Sequence, residues 1–202
     1  MDFVKEFSIF LHEKKIIQFG DFTLASGKKS QYYVDLRLVP SFPHQFRKMI
    51  KYLQGEIIKD IGLDKFDSLV SIPTGGLVIA SALAIETVKP LIYVRSKPKD
   101  YGTSKSIEGK IWEGLKVLMI DDVATTGDSV VNGIKSLTEA KIKVEDAYVI
   151  VNRMEGAEET LKEQGVTLHS ITNVMQITKS LYEQNLVGND VLQKVQEQIG
   201  IK

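Results

Sequence analysis

The chain has 202 residues, 43% of them apolar, with 26 Lys and Arg against 26 Asp and Glu and no cysteine. That length carries one substantial core; a zero formal charge removes any overall pull toward nucleic acid or an anionic membrane, and the lack of cysteine excludes disulfides, thiolate metal sites and cysteine nucleophiles. The opening MDFVKEFSIFLHEKK lacks a signal-peptide core and no apolar run approaches the roughly 18 residues of a membrane span, so a cytoplasmic location is expected.

Phe3, Val4, Phe7, Phe10 and Leu11 recur at helical spacing and predict an amphipathic helix at the start of the chain. Residues 20–39 mix aromatic and β-branched side chains around a Ser-Gly-Lys-Lys-Ser turn, which predicts two strands and a loop. After Pro40 and Pro43, Phe46, Met49, Ile50, Leu53 and Ile57 mark a second helix. From about residue 66 short apolar runs alternate with helical patterns. Strands are predicted over 68–72, 91–95, 117–120, 147–151 and 167–171, and their continuous apolar character suits strands covered on both faces. Helices are predicted over 77–88, 129–139 and 158–164, with a helix-rich end over 180–199 interrupted near Gly188. The repeated βα units predict an α/β fold with a parallel sheet flanked by helices. Residues 97–114 show no clear periodicity and are rich in Lys, Gly and Ser; stretches of this length inside compact domains are often active-site loops.

In open α/β sheets ligands bind beyond the carboxyl ends of the strands, and three turns there are unusual. Asp121 and Asp122 are expected to leave the 117–120 strand at its ligand-bearing edge, and Thr125, Thr126, Gly127, Asp128 and Ser129 to turn into the next helix. Amide N–H groups at such a helix start, beside threonine and serine hydroxyls, make a phosphate cradle, and the two acids suit ribose hydroxyls, Mg2+ or developing positive charge. The sequence IPTGG over 72–76 opens a helix with two glycines whose amides can meet an anion. Arg95 is followed by Lys97, Lys99, Lys105 and Lys110 around Asp100, Tyr101 and Gly102, a set of cations able to close over a multiply charged anion. A strand-following G-x-G-x-x-G, an H-E-x-x-H and a G-x-S-x-G are absent. Six residues lie between Gly20 and Gly27 rather than the four of a Walker loop, and His12, His44 and His169 lie outside the three turns. A hydrolytic triad or a zinc site is therefore not expected.

The string VLMIDDVATTGDS over 117–129 resembles the hallmark of the type I phosphoribosyltransferases, which bind 5-phosphoribosyl-1-pyrophosphate (PRPP). FTLASGKKSQYYVD at 22–35, IPTGGLVIASALA at 72–84, VRSKPKDYGTSKSIEG at 94–109 and VNRMEGA at 151–157 extend the likeness to the orotate phosphoribosyltransferases, in that family's order. The resemblance implies one domain over 1–202, with about 1–40 and the C-terminal segment forming a small hood over a core at about 45–175. It implies transfer of the phosphoribosyl group to orotate with Mg2+, giving orotidine 5′-monophosphate and pyrophosphate in pyrimidine synthesis. Asp121 and Asp122 would hold the ribose hydroxyls, the 124–129 turn, with Ala124, the 5′-phosphate, and Thr74, Gly75 and Gly76 the pyrophosphate. Arg95, Lys97, Lys99 and Tyr101 would supply further PRPP contacts, Lys99 with a catalytic role beside the two acids. Tyr32, Tyr33, Thr125 and Arg153 would line the orotate site. Mg2+ would be held through PRPP and water near Asp121 and Asp122 rather than by a protein cage. The loop after Arg95 reaches the neighbouring subunit in that family, so a homodimer is implied. Ser96, Tyr101 and Ala25 depart from residues familiar in other members.

The chemistry agrees with these roles. Breaking the C1–O bond of PRPP builds positive charge on the ribose and negative charge on the departing pyrophosphate, so one face needs carboxylates and the other cations. Orotate brings its own nucleophilic nitrogen, and no protein nucleophile is needed. Two other readings share the PRPP fingerprint. A transferase acting on a purine or another base predicts a different pocket in place of Tyr32, Tyr33 and Arg153. A PRPP-sensing regulator predicts a basic surface or an extra domain, where this chain is neutral and retains Lys99.

Overall fold

A computed structural model describes residues 2–23, 27–95 and 106–201. Its elements are α1 (Phe3–Glu13), β1 (Ile17–Thr23), β2 (Lys29–Val34), α2 (Pro43–Asp60), β3 (Ser68–Ser71), α3 (Gly75–Thr87), β4 (Leu91–Val94), β5 (Ile107–Glu108), β6 (Lys116–Ala124), α4 (Asp128–Glu139), β7 (Lys143–Asn152), α5 (Ala157–Glu163), β8 (Thr167–Asn173), α6 (Val174–Glu183) and α7 (Asn189–Gln198). A 3-10 turn over Leu36–Ser41, not read in the sequence, joins β2 to α2.

Six strands form one sheet in the order β5-β4-β3-β6-β7-β8. All neighbours are parallel except the short edge strand β5, which runs antiparallel to β4. Side chains alternate through this sheet with the strand period of two. Leu118 and Ile120 of β6 and Tyr148 and Ile150 of β7 pack under α1, α2, α3 and α6, while Val117, Met119, Ala147 and Val149 pack under α4 and α5. Both faces are thus dry, which is why these strands read as unbroken apolar runs.

The helices begin and bury as their patterns require. Asp2 caps α1 by accepting from the Val4 amide at 3.0 Å, and Phe3, Phe7, Phe10 and Leu11 face inward. Pro43 sits in the first turn of α2, where its missing N–H costs nothing. α6 begins earlier than the C-terminal pattern suggested, because Asn173 and Gln176 form a reciprocal capping box. β1 and β2 form a separate antiparallel hairpin, and α7 lies against β2 with Tyr32, Val174 and Val195 buried together.

The chain runs from β3 outward to β4, then returns to the other side of β3 to lay down β6, β7 and β8. Winding therefore reverses between β3 and β6, and connections leaving those two strands part in opposite directions. That switch point is where an open α/β sheet opens a crevice at the carboxyl ends of its strands.

Candidate active site

β3 pairs with β6 from Ser68–Val117 to Ser71–Ile120 and stops, whereas β7 accompanies β6 as far as Ala124. Asp121 and Asp122 therefore lie inside a nine-residue strand rather than beyond its end, a correction to the sequence reading. Pairing with β7 keeps this segment extended even though its side chains are acidic. On the β3 side the place of a strand is taken by the 72–76 turn. A Cβ added to Gly76 would lie 2.5 Å from Oδ1 of Asp121 and 2.8 Å from its Cα, and one added to Gly75 would collide with the Asp122 carboxylate. Only glycine lets this turn lie flat on the acid pair.

The carboxylates are tied to their own strand: Asp121 Oδ1 accepts from the Asp122 amide at 2.9 Å and Asp122 Oδ1 from the Val123 amide at 3.0 Å. Ser71 Oγ donates to the Ile120 carbonyl at 2.7 Å and closes the last rung before the crevice. Burial, and then the adjacent Asp122 charge, hold the Asp121 carboxyl well above the usual carboxylate range. A cation or a developing positive charge arriving here relieves that repulsion.

Two helices open into the same crevice. α3 starts at Gly75 after an exposed Thr74, and α4 starts at Asp128 after Gly127, whose φ is 87°. Asp128 is thus the first residue of the helix and Ser129 lies within it. Neither start has a side-chain cap, so the first amide N–H groups of both helices are available to an anion. Thr126 Oγ1 donates to Asp128 Oδ2 at 2.7 Å and shapes the second turn. A cavity of about 430 Å3 adjoins it, with Pro73, Arg95, Ser106 and Ser129 in its wall. Arg95 is held by a 2.8 Å bond from Nη1 to Glu108, and its amide donates to the Ser106 carbonyl at 2.8 Å. Those bonds join the two ends of the segment that carries Lys97, Lys99 and Tyr101, which lie outside the described residues, as do Ser96 and Ala25. The antiparallel β5 over Ile107–Glu108 was not read in the sequence, where this stretch showed no period.

The other end of the crevice is built around Arg153. Its amide donates to the Ala124 carbonyl at 2.9 Å, which sets it beside Thr125. The guanidinium, 6% exposed, lies 4.6 Å over the Tyr32 ring. Tyr32 is wholly buried beneath that guanidinium. Tyr33 is partly exposed, packs on Phe22, and accepts from Arg37 Nη2 at 3.3 Å. Arg37, held by Asp35, is within electrostatic reach of Asp122.

A family model described as the phosphoribosyl transferase domain matches residues 44–179. The orotate phosphoribosyltransferase of Cenarchaeum symbiosum is 50% identical over 97% of this chain and 98% of its own. The chain belongs to the orotate phosphoribosyltransferase family. The Sulfolobus acidocaldarius member is 40% identical, covering 94% of this chain and 92% of its own. Among solved structures, the orotate phosphoribosyltransferase of Aeropyrum pernix superposes with a TM-score of 0.76 at 33% identity over 90% of this chain and 99% of its own. Leishmania donovani UMP synthase gives 0.83 at 30% identity, covering 97% of this chain and 42% of that longer protein. The fold is that of the type I phosphoribosyltransferases.

Within this family fold, the sequence reading had given no role to Glu155, Gln198, Asp35, Arg37 or Ser71, although Glu155 sits in the VNRMEGA string and Asp35 closes the FTLASGKKSQYYVD string. Their parts come from contacts distant in sequence. Among the described residues no group of three or more His, Cys, Asp or Glu side chains is placed to hold a metal. The adjacent Asp121 and Asp122 carboxylates suit the neighbourhood of an Mg2+ that would be held through substrate oxygens and water. Among the described residues no helix is long and apolar enough to cross a membrane.

Proposed function

We propose that this chain transfers the 5-phosphoribosyl group of PRPP to orotate, releasing pyrophosphate and forming orotidine 5′-monophosphate on the route to UMP. The observation that carries the proposal is the crevice itself. An acid pair stands between two uncapped helix starts, with a half-satisfied arginine at the end of the neighbouring strand. The α4 start and its turn, Ala124 to Ser129, would take the 5′-phosphate, and the Thr74-Gly75-Gly76 turn the pyrophosphate. Asp121 and Asp122 would accept from the ribose hydroxyls and stabilise the positive charge that grows as the C1–O bond opens. Arg95, with Lys97, Lys99 and Tyr101, would neutralise the departing pyrophosphate, and Arg153 with Thr125 and Tyr33 would seat the orotate anion. Mg2+, carried in with PRPP, supplies charge neutralisation on the pyrophosphate oxygens.

A homodimer in the cytoplasm is part of the same proposal. α3 is apolar on its outer side as well as its inner one: Val78 and Ile85 are exposed, Ile85 by 79%, and Val88, just past the end of the helix, is 88% exposed. A helix apolar on both sides is suited to a second buried face, and α3 leads directly from the pyrophosphate turn. The activity is tested by mixing the protein with PRPP and Mg2+ and following orotate loss by absorbance against adenine, guanine and uracil. Orotate is expected to be turned over far faster than adenine, guanine or uracil. Turnover of a purine but not orotate, or PRPP binding with no turnover, would refute the assignment.

A further inference from the structure

Glu155 has no part in the site as assigned above, yet its side chain is buried and heavily hydrogen-bonded. Its side chain is 2% exposed. Oε1 accepts from Arg153 Nε at 3.2 Å, Arg153 Nη2 at 2.9 Å, the Tyr32 hydroxyl at 2.8 Å and Gln198 Nε2 at 2.9 Å, while Oε2 accepts from Lys28 Nζ at 2.6 Å. Burial alone would push this carboxyl up, but the hydrogen bonds from Lys28 and Tyr32, with the Arg153 charge and the Gln198 bond, hold it below the usual range. Arg153 Nη2 also donates to Ser30 Oγ at 3.0 Å. The guanidinium is therefore gripped along its Nε–Nη2 edge, and Nη1 donates to no described residue. Gln198, the last residue of α7, ties this grip to the β2 strand by accepting from the Gln31 amide at 2.6 Å and donating to Ser30 Oγ at 3.1 Å.

We infer that Glu155, backed by Gln198, is a positioning residue for acceptor specificity: it fixes the Arg153 edge so that Nη1 faces the carboxylate of the acceptor base. A guanidinium gripped on one edge directs its remaining donors and its charge toward a carboxylate, which suits an anionic acceptor over a neutral one. A guanidinium left to choose among rotamers would present that charge with less direction and would discriminate less well. The inference rests on the orotate reading of the site and deepens it.

The test is steady-state kinetics on Glu155→Gln in the full chain, with orotate and with uracil, which lacks the carboxylate. The expected result is a rise in KM for orotate of about tenfold or more, the scale of one lost charge-assisted bond. KM for PRPP should stay within about twofold, and the preference for orotate over uracil should fall in step. An unchanged orotate KM, or equal rises for orotate and PRPP, would overturn the inference. Should Glu155→Gln fail to fold, Gln198→Ala reads the same effect from the periphery: a rise of about threefold for orotate only is expected, and no change refutes it. A wild-type chain that ignores orotate would instead refute the assigned activity, so the two failures are distinguishable.

Discussion

The contact between the 72–76 turn and β6 makes Gly76→Ala the most telling single substitution. The added methyl would stand 2.5 Å from Asp121 Oδ1, 2.7 Å from Ser71 Oγ and 2.8 Å from Asp121 Cα. A carboxylate oxygen can swing away, but the Cα belongs to a strand paired with β7 and cannot move alone. Overpacking of this kind costs about 1–3 kcal/mol, and a backbone clash places it in the upper half. For a chain of this size that lowers Tm by roughly 4–12 °C. Relief must come from α3 backing away from Asp121, so kcat/KM for PRPP should drop by roughly 10- to 100-fold. The matching control is Gly55→Ala, in the interior of α2, where an added methyl meets nothing within 4 Å. There helix propensity alone acts, and a gain of about 1 kcal/mol with unchanged activity is expected. Calorimetry and initial-rate kinetics on the two variants decide the matter. A Gly76→Ala protein as stable and as active as wild type would refute the close packing of turn on acid pair.

Asp121→Asn should stabilise the unliganded protein while lowering kcat. The folded-state pKa of Asp121 is raised, so the native state keeps its proton where the unfolded chain has lost it. Wild-type stability therefore falls as pH rises from the usual carboxylate range toward that raised value, and urea titrations should show the advantage of the Asn variant growing across that window; a constant difference would refute it. Lys99→Ala should cut kcat by about 100- to 1000-fold with an unaltered circular dichroism spectrum, since its charge would act on the departing pyrophosphate; near-normal turnover removes Lys99 from the mechanism. Ile85→Glu, on the outer face of α3, should convert a dimer to monomers in light scattering, and a wild-type mass would place the interface elsewhere.

Much of this architecture is legible without coordinates. The strands over 68–72, 91–95 and 117–120 announce themselves because both faces are buried, and a run of Val, Ile and Leu is the direct trace of that burial. Helices α2 and α4 show through the periodic set of residues each one buries. The acid pair with its Thr-Thr-Gly turn is also local, since a strand end, a tight turn and an uncapped helix start need only neighbouring residues. Other features have no local trace. Asp and Asp are poor strand formers, so nothing nearby indicates that β6 continues through them; its partner β7 decides that. Tyr32 and Tyr33 look alike in sequence, yet α7, α6 and Arg153 close over the first and leave the second at the surface. Glu155 reads as an ordinary charge until folding brings Tyr32, 123 positions away, and Gln198, 43 positions away, onto one oxygen. Chemistry that depends on residue type and short spacing is written along the chain. The orientation of Arg153 depends on which distant donors a buried carboxylate gathers, and only the packed tertiary structure sets that.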